Sequence, residues 1–304
     1  MKCNICSFRK FKEKYYIKDL KHKTSNKSFL VMECLNCGIL VVTDKRKPVN
    51  GSIYYPDDYS AFKKISFKKK DDNTIFPRNV LQGRMAWTKL VTLTPETKVL
   101  DIGCGSGSNM LFIKEHFDSD LYGIEPNEIA VKEGAKQGLN IFKGTLDDYT
   151  GNEKFDIIYL LHVIEHLSNP KITLDKVFSL LKPNGKLVIG TPNTNSFERY
   201  FFAKYWDGWD TPRHIYMFNP KTINYLLKDI GYNNIQIHYE KYSIFSRSFK
   251  NMSGIKKTNR PPKIIRGINA IIDIFLRNAL PFLKFSGAIQ VIAHKNKKTG
   301  ENEY

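Results

Sequence analysis

The sequence predicts an α/β fold, a mostly parallel sheet with helices on both faces, preceded by a small N-terminal ribbon. Three observations carry this reading. From Thr97 onward short apolar runs alternate with helical stretches, the mark of βαβ units. A glycine-rich turn, Gly103-Cys104-Gly105-Ser106-Gly107, joins the first of those runs to the first helical stretch. Four of the five cysteines form two Cys-x-x-Cys pairs near the N-terminus.

Taken in order, strands are expected at Lys98–Ile102, Leu121–Ile124, Asn140–Phe142, Phe155–Leu161 and Lys186–Thr191, with Asn184-Gly185 turning into the last. Helices are expected at 108–117, 127–137, 170–182 and 220–230, and the β-like runs 234–240 and 288–294 would close the sheet. The chain divides into a ribbon over 1–47, a connector over 48–76 and the α/β domain over 77–304. That domain would carry a lid loop over 194–218 and a helical insertion over 250–284.

The bulk numbers bound the possibilities. A chain of 304 residues, 41% hydrophobic and 26% charged, is long enough for one α/β domain and a small module. No apolar stretch follows the lysines of MKCNICSFRK, so no leader is expected and the cytosol is the default. The most apolar late segment, Ile264 to Leu283, is interrupted by Arg266, Asp273 and Arg277, which argues against a membrane span. It could cap the pocket or lie on the inner face of a membrane. The net charge of +18 is uneven. Residues 1–70 carry 17 Lys/Arg against 6 Asp/Glu, residues 71–249 carry 20 against 21, and residues 250–304 carry 11 against 3. Basic ends could meet a polyanion or an anionic membrane, or simply be solvated.

Between Cys3-Asn-Ile-Cys6 and Cys34-Leu-Asn-Cys37 lie 27 residues. Each pair converges two thiolates on one metal from a tight turn, and two pairs complete a tetrahedral zinc shell. Cys3, Cys6, Cys34 and Cys37 would leave no open position, so the zinc should be structural. Gly38 sits where the second turn needs a residue tolerant of positive φ. The aromatics of the following connector, Tyr54 to Lys70, could line the mouth of a cleft or pack the linker against the domain.

The glycine turn lets the backbone pass close to a nucleotide-like ligand. A dinucleotide fingerprint would need glycine at position 108, where Ser108 stands. Asp101, at the end of the first strand, suits the cationic amino-acid end of a ligand rather than a phosphate. Glu125, 24 residues later, is placed to take both ribose hydroxyls.

With these residues in view, VLDIGCGSG, GIEPN, FDIIYLLHVIEHLSNP and LKPNGKLVIGTPN, in this order, resemble the class I S-adenosylmethionine (SAM)-dependent methyltransferases over about residues 75–295. The resemblance implies a Rossmann-like, seven-stranded sheet with SAM at the carboxyl ends of the strands. It implies that Asp101, Gly103 and Gly105 face the methionine part, Glu125 the ribose and Asp147 the adenine amino group. His162 should lie near the sulfonium, and Cys104 should be only a small buried residue.

His162 and His166 are four residues apart, one face of a helical turn, and either could take a proton from an acceptor hydroxyl. They could equally brace the strand. HVIEHL is also similar to the ubiquinone-biosynthesis O-methyltransferases, in which a glutamate and a Glu-His pair hold magnesium. Glu165 and His166 match that pair, but His162 replaces the earlier glutamate, so magnesium is not expected. Downstream, Trp206, Trp209, Asp210 and Arg213 are candidates to bind a sugar acceptor, with His214 a further candidate base. A packed lid with a buried tryptophan is the alternative.

Ribbon, HVIEHL and the W-D-x-P-R-H loop together look like a bacterial subgroup associated with sugar and surface-polysaccharide modification. The resemblance implies O-methylation of a nucleotide-linked or glycan-borne sugar. An RNA methyltransferase is the rival, disfavoured by the neutral middle of the chain and by the lack of a catalytic Asn-Pro-Pro-Tyr. A small-molecule or quinone O-methyltransferase is a further alternative.

Overall fold

The computed structural model describes residues 1–56, 59, 68–70, 73–75, 85–254 and 262–296. The N-terminal segment forms β1 (Phe11–Lys18), β2 (Ser28–Cys34), β3 (Leu40–Asp44) and β4 (Lys47–Pro48), followed by a hairpin of β5 (Lys68–Lys70) and β6 (Asn73–Ile75). The alternating region opens with β7 (Lys98–Ile102), α1 (Ser108–Phe117), β8 (Asp120–Glu125), α2 (Glu128–Ala135) and β9 (Asn140–Lys143). It continues with β10 (Phe155–Leu161), α3 (Pro170–Leu180), β11 (Leu181–Pro192), α4 (Phe197–Phe202) and β12 (Tyr216–Met217). The chain closes with α5 (Pro220–Ile230), β13 (Asn233–Tyr239), α6 (Phe245–Ser253), α7 (Lys263–Phe282) and β14 (Ala288–His294).

Seven strands form one sheet in the order β13-β14-β11-β10-β7-β8-β9. The strands from β11 to β9 pair in parallel, and β14 runs antiparallel to both of its neighbours. The central strand β10 reads FDIIYLL and is buried almost throughout, as a strand covered by helices on both faces must be. From the adjacent pair β7 and β10 the chain winds outward in opposite directions, which opens a crevice at their carboxyl ends. Local chemistry starts the helices on time. Asn127, Asn169 and Asn219 each accept a backbone N–H from three residues on, and a proline follows the last two caps.

Two expectations are adjusted. β11 begins at Leu181 because the Asn184-Gly185 turn bulges out within it, between the pairings of Phe155 with Leu181 and Ile157 with Lys186. His162 and His166 do not share a helical face. His162 takes a left-handed step (φ 58°), and only a three-residue 3₁₀ turn, Ile164–His166, follows.

The ribbon is built into the larger domain. β12 pairs antiparallel with β3, extending the N-terminal sheet, and Val42 N–H donates to Ile215 O at 2.9 Å. Phe29, Val31 and Ile39 share one apolar cluster with Trp206, Trp209, Met217 and Phe218. A ribbon this small has too little surface to bury alone, so the 206–218 segment completes its core. Of the connector, residues 57–58, 60–67, 71–72 and 76 lie outside the described residues, as do 255–261 of the expected helical insertion.

Candidate active site

A cleft of about 1350 Å³ opens at the carboxyl ends of β7 and β10. It exceeds the usual volume of a site for one small ligand, roughly 300–1,000 Å³, and has room for a cofactor and an acceptor together. One end is lined by the glycine turn, Glu125 and Asp147; the other by Lys21, Tyr55, His162, His166 and His214.

At the first end, Gly103, Gly105 and Gly107 all have positive φ, of 70°, 56° and 88°. A Cβ at Gly103 would stand 2.6 Å from Val163 Cγ2, and one at Gly107 2.2 Å from Leu139 Cδ1. Glycine is demanded by both conformation and space. Glu125 holds the turn open: one carboxylate oxygen accepts from Gly105 N–H and the other from Asn127 N–H, both at 2.9 Å. Burial raises the Glu125 pKa, which those two bonds oppose. Asp147 is exposed at the rim. These residues fit a nucleoside-bearing cofactor: a cradle free of Cβ atoms, a buried carboxylate for vicinal hydroxyls and a rim carboxylate for an exocyclic amine. Asp101 departs from expectation. Its side chain shares the sheet face of Val99, opposite to Leu100 and Ile102, and is buried against Tyr159 rather than lining the cleft. Cys104 is buried and its thiol is pushed up by desolvation, in keeping with a packing role.

The second end is organised around Glu165, which is fully buried. One of its oxygens accepts from Thr191 Oγ1 at 3.1 Å, and the other lies 3.4 Å from His162 Nδ1 and 3.9 Å from His214 Nε2. Burial raises its pKa, but the bond from His162 and the charges that His214 and His166 carry in acid outweigh it, holding it well below the usual carboxylate range. His166 Nδ1 faces Arg213 O at 3.0 Å, and His214 Nδ1 faces Gly208 O at 2.9 Å. A carbonyl only accepts, so the tautomer that satisfies Arg213 O and Gly208 O carries its proton on Nδ1 and leaves a lone pair on Nε2, with Tyr55 Oη (2.8 Å) as a second acceptor for His166 Nδ1–H. Burial pushes both imidazoles down, His214 to about 3, so both are neutral at neutral pH. Ligand atoms of Glu165, His166 and His214 lie within 4.8 Å of one another. Two imidazoles and a carboxylate thus converge, and the cluster can accept a proton from a ligand hydroxyl.

Several candidates have another task. Trp206 and Trp209 are buried in the core, 5.4 Å apart edge to face, and neither lines the cleft. Arg213 is fully buried and clamps the ribbon to the domain. It donates to both oxygens of Asp19 in the ribbon, at 3.0 and 3.3 Å, and twice to Asp210 Oδ1, at 2.8 and 3.0 Å. The large apolar and cationic side chains of this loop are consumed in docking it on the ribbon, so Trp206, Trp209 and Arg213 are corrected from acceptor contacts to packing. Asp210 lines the cleft but is already bonded to Arg213 and to Lys21 Nζ (2.9 Å).

Tyr55 belongs to the connector aromatics expected either to line the mouth of a cleft or to pack the linker, whereas Lys21 was not a candidate. Tyr55 Oη lies 2.8 Å from His166 Nδ1 and Tyr55 stacks edge-on with Tyr59 at 4.9 Å, which puts connector aromatics in the cleft. Their place in the aromatic run was the available signal; Lys21 had none. Phe62 and Phe67 of that run lie outside the described residues.

The four ribbon thiols also converge: Cys3 Sγ to Cys37 Sγ is 3.7 Å and Cys6 Sγ to Cys34 Sγ is 3.5 Å. A tetrahedron with metal–sulfur arms of about 2.3 Å has edges of roughly 3.8 Å, so the four fit one zinc ion. Gly38 has φ 76°, and Ser7 (φ 61°) makes the matching step after the first pair.

The sheet order, the glycine turn at its switch point and the buried carboxylate ending the next strand define a class: α/β proteins that bind a nucleoside cofactor at the strand ends, with the SAM-dependent methyltransferase fold. Residues 63–237, more than half of the chain, match a family described as a methyltransferase domain, and the chain belongs to that family. It is 34% identical to the ubiquinone biosynthesis O-methyltransferase of Actinobacillus pleuropneumoniae over 108 residues, 32% of this chain and 46% of that protein. It is 29% identical to phosphoethanolamine N-methyltransferase 3 of Arabidopsis thaliana over 117 residues, 36% of this chain and 24% of that protein. The matches thus span under half the length of these relatives. A SAM-dependent methyltransferase structure from Archaeoglobus fulgidus superposes with a TM-score of 0.50 at 23% identity, covering 72% of this chain and 95% of that one. A cyclopropane synthase from Mycobacterium tuberculosis does so at 0.50 and 14%, covering 78% and 94%. At these identities the likeness is one of fold.

Proposed function

We propose that the chain transfers a methyl group from SAM to a hydroxyl of a sugar in nucleotide-linked or glycan-borne form. The observation that carries the hydroxyl is the proton-accepting cluster: neutral His166 and His214 with bare Nε2 atoms beside ionised Glu165. An O-methyl acceptor must lose its hydroxyl proton as the methyl arrives; an already deprotonated carbon or a neutral amine makes no such demand on a base at that step. Bound SAM supplies an electrophilic methyl on a sulfonium. The protein then has five tasks. The glycine turn admits the cofactor backbone, and Glu125 takes its ribose. His166 Nε2 receives the acceptor proton, and Glu165 stabilises the imidazolium that results. Tyr55 orients His166 through Nδ1.

Support for a sugar rests on the cleft rather than on the tryptophans. Tyr55 and Tyr59 offer aromatic faces, and Lys21, Glu240, Arg247 and Arg277 offer charged partners for hydroxyls or for a nucleotide phosphate. The ubiquinone-pathway relative favours an oxygen acceptor of a different kind, a quinone precursor.

The test supplies labelled SAM with nucleotide-sugars, a glycan fraction, a phenolic quinone precursor and total RNA in turn. Label in the sugar pools, lost in His166→Ala, is the expected result. Label in the phenol or in RNA overturns the sugar reading, and transfer undiminished in His166→Ala overturns the base.

The nitrogen-rich set of Glu165, His166 and His214 supports a second reading in which a transition metal, rather than magnesium, orients the acceptor. Loss of transfer on chelation, restored by zinc or manganese, would favour it.

The ribbon cysteines are proposed to hold a structural zinc ion. One metal per chain in the purified protein, lost together with folding cooperativity in Cys34→Ser, is expected.

A further inference from the structure

Helix α7 is apolar on both faces. Ile265, Ile272, Leu276 and Leu280 turn toward the domain, whereas Ile264, Ile268, Ile271, Ile274 and Phe275 are each more than half exposed. A surface helix ordinarily turns polar residues to water, so an outward apolar stripe of this width calls for a cover. The patch continues beyond the helix end. Phe282 is 89% exposed, and Phe285 and Phe197, both exposed, are joined through the backbone, Phe197 N–H donating to Phe285 O at 3.1 Å. So large a run of exposed isoleucine and phenylalanine marks an interaction surface.

The charges choose the occupant. Among the described residues of α7 and the loop to β14, the exposed charges are Arg266, Arg277 and Lys284, all cationic. The one acid of the helix, Asp273, is turned inward, accepting from Ser243 Oγ at 2.6 Å. The sequence from residue 250 to 304 carries 11 Lys/Arg against 3 Asp/Glu. An apolar stripe rimmed by cations complements an anionic lipid surface, with the side chains among the acyl chains and the cations at the headgroups. A second copy of the same face would set like charges against each other. No helix among the described residues is long and apolar enough to cross a membrane, so the contact is one of lying on the surface. Arg277 lines the cleft as well, which puts the cleft mouth beside this face.

We propose that α7 and the aromatic tip after it seat the protein on an anionic bilayer, with the cleft mouth next to the lipid. The inference is independent of which acceptor is methylated.

The full chain is sedimented with vesicles of phosphatidylcholine alone and of phosphatidylcholine mixed with phosphatidylglycerol. Binding to the mixed vesicles, weakened by salt, is expected, with at least about a tenfold loss in the double variant Ile271→Asp, Phe275→Asp. Both positions face outward, and an unchanged melting temperature shows that the fold is kept. Arg266→Glu with Lys284→Glu should lose the preference for phosphatidylglycerol. Equal binding of wild type to both vesicles, no binding to either, or wild-type binding by the aspartate variant overturns the proposal. A wild-type dimer in solution that the aspartate variant splits also overturns it, by assigning the face to a second copy.

Discussion

The two ends of the cleft are built on opposite plans. The glycine-turn end comes from one stretch of chain, residues 103–147, in which each side chain follows a strand end. The histidine end gathers Lys21, Tyr55, His162–His166, Asp210–His214 and Arg277, which are distant in sequence and meet only because the ribbon docks on the domain. The first is a local device that folds wherever the β7-turn-α1 unit folds. The second exists only when two sheets and the Arg213 clamp are in place. Damage to the first should therefore affect cofactor binding alone, and damage to the second should reach both chemistry and stability.

The largest effect is expected at the histidine end. His166→Ala should lower kcat by about 10²–10⁴-fold, the usual worth of a general base, while SAM affinity measured by calorimetry stays within a factor of a few. An equal loss of SAM affinity would merge the two ends and break the comparison.

Arg213→Ala leaves Asp19 and Asp210 buried without their shared cation. The expected cost is about 3–5 kcal/mol in denaturant unfolding. A cost within a fraction of a kcal/mol would show that the ribbon docks without the clamp.

Asp19 makes the same point through pH. Burial raises its pKa, but the Arg213 bonds and those from His22 and Thr24 outweigh it, holding it at about 2 against an unfolded value of about 3.9. A depressed carboxylate gives stability that is present above the unfolded value and lost as pH falls toward the folded one. The wild type should therefore lose on the order of 2 kcal/mol between about pH 4 and pH 2 through this group, and Asp19→Asn should show a shallower acid limb.

The smallest effect belongs to the cofactor end. Gly103→Ala forces a side chain onto φ 70° against Val163 and should weaken SAM binding by about tenfold or more, with kcat at saturating SAM nearly kept. In the pH profile of kcat/KM, the acid limb should lie below about pH 6.5, because burial holds His166 below the usual histidine value. A limb at higher pH would move the base away from His166.

The comparison also sorts what was legible beforehand. β10 and α1 were readable to the residue, because an almost wholly apolar run and a glycine-to-helix junction are local signals. The tryptophans of the 205–214 loop read equally well as an acceptor platform or as core. Nothing local distinguishes a Trp that stacks on a ligand from one that stacks on Tyr15, as Trp209 does at 5.6 Å. Arg213 was misread for the same reason: its carboxylate partner, Asp19, is 194 residues away.

The sequence by itself determined the sheet, the glycine cradle and the clustering of four cysteines, because strand and turn propensities and short spacings act over a few residues. Only the tertiary structure decided that the ribbon belongs to the cleft, that Glu165 joins three histidines, and that α7 turns an apolar face outward. Those facts depend on which surfaces bury one another. That is settled by the summed packing of segments far apart in the chain, which no local spacing encodes.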